Sequence, residues 1–96
     1  MTTVTTEQEE KLQNEQIRGN AAQHAYDQFI KGFVESKREA LFDAFRALPL
    51  TAEANLMEVK RMLYAVDTLE QDIITVIETG KMASLVLNEN EEGVTH

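Results

Sequence analysis

Leu48-Pro49-Leu50-Thr51 decides the fold, because it separates two long helical patterns with one break. Pro49 has no amide proton to donate, and its ring pushes Leu48 out of helical geometry. Thr51 is suited to cap a following helix, and Glu53 to lie against that helix's positive end. The chain contains a single proline, so no second break of this kind interrupts either pattern.

Working back from the break, Tyr26, Phe29, Ile30, Phe33, Val34, Leu41, Phe45 and Leu48 recur at three- and four-residue steps. Ala22, Ala25, Ala40 and Ala44 fill the same face. This periodicity predicts an amphipathic helix over about 21–48. Gly32 lies inside it at a cost of about 1 kcal/mol relative to alanine, which a close helix crossing or simple tolerance explains equally well. Lys37 interrupts the stripe and is placed at its edge, with its ammonium reaching water.

Working forward, Leu56, Val59, Leu63, Val66, Ile73 and Ile77 fall on near-heptad spacing, with Glu70 in the one missing slot. Met62, Leu69, Ile74 and Val76 widen the stripe. A second helix is expected over about 52–79, closed by Gly80 as its C-cap. Residues 81–87 read as a short last helix or a docked extension.

The outer segments are polar. Residues 1–5 read as a flexible, Thr-rich lead. Thr6-Glu7-Gln8-Glu9 has the pattern of a capping box and opens a polar helix over 7–18, anchored by Leu12 and Ile17. Gly19-Asn20 reads as its stop or kink. Residues 88–96 read as a disordered acidic tail. The expected organisation is one helical domain over 6–87.

The fold class is therefore all-α: an antiparallel helical hairpin with a polar N-terminal helix. Each long helix would extend roughly 40 Å at 1.5 Å per residue. The second stripe is too wide for one partner helix to cover. Each large apolar side chain left wet forgoes roughly 1.5–3 kcal/mol, so self-association is expected to complete a bundle. Leu56, Val59, Leu63, Val66, Ile73 and Ile77 are the expected helix-packing or oligomer interface. Met57 and Tyr64 project away from that stripe and form a candidate partner patch.

Charge narrows the partners. Seventeen acidic residues against nine basic give a net charge of -8. Nucleic-acid affinity comes from Lys and Arg displacing phosphate counterions, so direct binding would need Lys37-Arg38 and Lys60-Arg61 to be gathered together. No run approaches the roughly 20 apolar residues that span a bilayer, and the N-terminus lacks the basic and apolar segments of a signal peptide. A cytoplasm, bacterial by preference, is the expected location.

Chemistry is sparse. Without cysteine there is no thiolate nucleophile, disulfide or Cys-ligated zinc. His24 and Asp27 offer two metal ligands and no more. Ser36 and Ser84 have no histidine near them in sequence, and no phosphate-binding glycine loop is present. Glu7, Glu9, Glu10, Glu89, Glu91 and Glu92 read as solvated charge. Asp67 and Glu70 border the apolar stripe, where a polar residue more often sets register than catalyses. No catalytic residue, metal or cofactor is expected.

The stretches Arg18-Gly19-Asn20-Ala21-Ala22 and Ile77-Glu78-Thr79-Gly80-Lys81-Met82-Ala83, with the Phe-containing helix between them, resemble small helical proteins of tailed bacteriophages. The resemblance covers roughly residues 17–87. It implies a phage origin and a role near head assembly, and it carries over no functional residue. The leading expectation is thus a non-enzymatic phage structural or assembly accessory. An acidic inhibitor of a host or defence nucleic-acid-binding protein is the first alternative, and a small terminase-like DNA-packaging subunit is the second.

Overall fold

In a computed structural model the chain is all-α. The structure describes the backbone of residues 5–95 and the side chains of residues 5–89. The flexible lead expected at 1–5 falls almost wholly outside that range. Most of the tail expected at 88–96 also lies outside the described side chains, although the last helix is bounded at Thr95.

Helix α1 spans Thr6–Ala25 and passes into a π-helical turn, Tyr26–Ile30, which leads directly into α2, Lys31–Ala47. After the break, α3 spans Glu53–Thr95. A capping box does open α1, one residue earlier than the pattern suggested. The Gln8 amide donates to Thr5 Oγ1 at 3.1 Å, and the Thr5 amide donates to Gln8 Oε1 at 2.8 Å. Thr-Thr-Glu-Gln-Glu satisfies the motif in both registers, and the earlier one gains a full reciprocal pair.

The break forms as proline requires. Leu48 is extended, with φ -76° and ψ 135°, and its amide closes α2 by donating to the Ala44 carbonyl. The Ala52 amide then donates to the Pro49 carbonyl at 3.0 Å, and the Ala52 carbonyl accepts the first α3 bond from Leu56. Ala52 thus holds the position expected of Thr51, which lies in the turn instead.

Two further boundaries differ from expectation. Neither Gly19 nor Gly80 ends a helix: both lie within helices, and no described glycine has positive φ. The second helix therefore does not stop near residue 79, and 81–87 continue it.

The chain divides into two compact units: Met1–Ala25 with Ile73–His96, and Tyr26–Asp72. In the first unit α1 lies against the later part of α3 in antiparallel sense. Gly19 and Gly80 are buried, and a Cβ built on either would lie 2.7 Å from the other's Cα. The backbones are so close that only glycine fits on both sides. Ile77 and Ala83 are buried, and Gln16 Nε2 donates to Ser84 Oγ at 2.8 Å.

In the second unit, α2 and the first part of α3 form the hairpin about the Pro49 turn. Val34, 1% exposed, and Leu41 are its buried hydrophobic side chains. Leu56, Val59, Leu63 and Val66 are half-buried on α3.

The π-helical turn explains which residues of the first helical run face inward. Leu12, Gly19 and Tyr26 are seven apart, as are Val34, Leu41 and Leu48, and all six are buried or half-buried. Between Tyr26 and Val34 the step is eight. A π turn holds one residue more than an α turn, so the inward phase of α2 starts one position late.

Candidate interaction surface

That phase shift corrects the expected core. Phe29 and Phe33 belong to the apolar stripe of an unbroken helix, yet they are 70% and 66% exposed. Phe42 and Phe45 are also exposed, so all four phenylalanines of the chain face solvent to a large extent. The eight-residue step from Tyr26 to Val34, and the awkward Lys37 in the unshifted stripe, are the legible signals.

The six residues expected as packing or oligomer interface divide between the units. Leu56, Val59, Leu63 and Val66 are half-buried in the hairpin unit; Ile73 is half-buried and Ile77 buried in the other. Their burial arises within one chain, so packing inside each unit already occupies them. Gly32 resolves in the same way: nothing lies within 4 Å of a Cβ built there, so no close crossing explains it.

Glu70 holds the seam position that the heptad leaves polar, and it is satisfied from two sides. Arg38 Nη2 donates to Glu70 Oε1 at 2.9 Å, and the Tyr26 hydroxyl donates to Glu70 Oε2 at 3.1 Å. Arg38 also donates to Asp67 Oδ1, from Nη2 at 2.9 Å and from Nε at 3.2 Å. Hydrogen bonds to Asp67 and Glu70 hold the Arg38 pKa above its ordinary value. Partial burial, then the hydrogen bond and charge of Glu70, push the Tyr26 phenol above its ordinary range. A charged group in a helical seam fixes which residues can pair. This network is structural, with two donors on one helix and two carboxylates on its partner.

Ion pairs engage half of the basic residues considered for phosphate contact. Arg38 is engaged with Asp67 and Glu70, and Arg61 pairs with Glu58 at 3.6 Å. Lys37 and Lys60 are exposed. Two of the four cations considered for phosphate contact thus already have carboxylate partners. His24 is exposed, and no group of three or more metal-ligating side chains occurs among the described residues. No described helix is long and apolar enough to cross a membrane.

The faces of the hairpin unit follow from helix geometry. In an antiparallel pair of right-handed helices, residues just before the inward positions emerge on one face, and residues just after them on the other. Met57 and Tyr64 follow Leu56 and Leu63, and both are exposed. They share their face with Glu35, Glu39, Phe42, Lys60 and Asp67, so the expected partner patch is apolar side chains set among charges.

The other face is different. Phe29, Phe33, Met62 and Leu69 each precede an inward residue, and all four are exposed. Ala40, Ala44, Ala47 and Ala65 occupy the same face and are exposed too. Large apolar side chains gathered at this exposure on one face are characteristic of interaction surfaces.

Comparison of the chain with protein-family models, with curated proteins and with solved structures gave no match.

Proposed function

We propose that this protein is a non-enzymatic assembly accessory that acts through helix-bundle contacts with other protein chains, copies of itself among them. The observation that carries this reading is the uncovered apolar surface of the hairpin unit. Val34 and Leu41 are buried there, while Phe29, Phe33, Met62 and Leu69 stay in water. Aromatic and Met side chains with this exposure are typical of interface centres.

A phage structural or head-assembly role is the specific form of the proposal, in a bacterial host or a virion. It rests on the resemblance carried by Arg18–Ala22 and Ile77–Ala83, the two stretches that contain the glycines that meet. Mass spectrometry of purified virions and their precursors tests it. Recovery of the chain with particles is expected, and absence from every particle and precursor would remove the assembly role.

Net charge supports a second reading, an acidic inhibitor of a basic host enzyme. Capture from host lysate at rising salt separates the two, because an interaction built on charge weakens steeply with ionic strength while an apolar one does not. The DNA-packaging alternative draws on Lys37 and Lys60 alone once Arg38 and Arg61 are paired. A mobility-shift assay at low salt tests it, with no shift expected.

A further inference from the structure

We infer that the face bearing Phe29, Phe33, Met62 and Leu69 is where a second copy of this chain docks. The inference rests on the self-association reading above and specifies where that contact lies.

Charge is the first argument. The chain carries -8 overall, so two copies repel each other over most approaches. Between Phe29 and Leu69, the residues that precede inward positions include one cation, Lys37, and one carboxylate, Glu58. Asp72, which precedes the half-buried Ile73, adds one more carboxylate, so this face carries three charged side chains in all. The opposite face carries six, Lys31, Glu35, Glu39, Arg46, Lys60 and Asp67, a more densely charged setting that is costlier to desolvate against itself.

Shape is the second argument. Along α2 the large side chains, Phe29 and Phe33, lie at one end of the face, and Ala40, Ala44 and Ala47 lie toward the other. A second copy running in the opposite direction sets phenylalanine over alanine, twice by symmetry. Two-fold contacts require this self-complementarity, in which residue i meets j and j meets i. A foreign partner would not need it.

Area is the third. At roughly 150–250 Å² per buried aromatic side chain, two phenylalanines two-thirds exposed, with Leu69 and Met62, supply a few hundred Å² of apolar surface per copy. The alanine floor and the rim bring this toward the roughly 800 Å² per partner of a specific interface.

The experiment is sedimentation or light scattering of the full chain across a dilution series, with three variants. Phe33→Glu and Ala40→Glu place a carboxylate on the proposed face, and Tyr64→Glu places one on the opposite face. All three positions are exposed in the single chain, and circular dichroism checks that helicity is retained. Phe33→Glu and Ala40→Glu are expected to weaken the dimer by about 30-fold or more, with Tyr64→Glu close to wild type. If Phe33→Glu fails to fold, Ala40→Glu decides between the faces, since an exposed helical alanine tolerates glutamate. A dimer that survives both variants, or that Tyr64→Glu alone dissociates, overturns this face and leaves self-association standing. A wild-type chain that is monomeric throughout overturns both.

Discussion

The two units solve the same packing problem with opposite means. Where α1 meets the later part of α3, small residues bring the backbones together: Gly19 against Gly80, with Ala83 buried nearby. In the hairpin unit an ion-pair network and a thin apolar seam hold the helices, and the phenylalanines, Met62 and Leu69 are left outside. Close backbone approach yields dispersion contacts without large side chains, so a polar helix such as α1 can still pack. The hairpin unit leaves its phenylalanines at its surface, and the association proposed above would use that surface.

Four measurements probe this contrast, and the first should show the strongest response. Gly80→Val puts a branched side chain where a single Cβ already lies 2.7 Å from opposing backbone. It should cost about 3 kcal/mol in urea unfolding, since overpacking against backbone cannot relax. A neutral result would mean that the close approach contributes nothing to stability.

Arg38→Ala comes next. It strips donors from Glu70, which is mostly buried, and from Asp67, which is not. A loss of about 1–2 kcal/mol is expected, most of it coupled to Glu70 in a double-mutant cycle. Equal coupling to Asp67 would show that the exposed arm matters as much as the seam.

Gly32→Ala should act in the reverse sense. With nothing within 4 Å of the new methyl, helix propensity decides, and a gain of up to about 1 kcal/mol is expected. Gly32 and Gly80 would then differ in sign, and a loss at Gly32 would reveal a contact that the single chain lacks.

The smallest effect is alkaline. Partial burial and Glu70 raise the Tyr26 pKa in the folded state. The unfolded chain therefore releases the phenolic proton first, so stability is fully present below the unfolded value near 10 and falls as pH rises through the folded one. Tyr26→Phe should flatten this alkaline slope. An unchanged slope would assign it to other groups.

The break at Pro49 and the α3 stripe are legible in the sequence because their signals are local: a missing amide and a heptad spacing kept from Leu56 to Ile77 with one polar member. Glu70 is also legible as the odd member of that heptad, although its partners Tyr26 and Arg38 are not, since they come from the other helix. Gly19 and Gly80 resemble stops because glycine favours both a left-handed cap and a close crossing, and sequence spacing does not separate the two. The exposed phenylalanines resemble core because a π turn adds one residue without changing composition. An eight-residue step among sevens, and Lys37 within the unshifted stripe, are its traces.

If another copy of the chain covers the apolar surface of the hairpin unit, the protein in solution is at least a dimer. Light scattering coupled to size exclusion, at tens of micromolar and moderate salt, reads this from the wild-type chain alone. A mass of at least twice the chain's 10.9 kDa is expected. A single species at 10.9 kDa under those conditions would show that the surface stays uncovered.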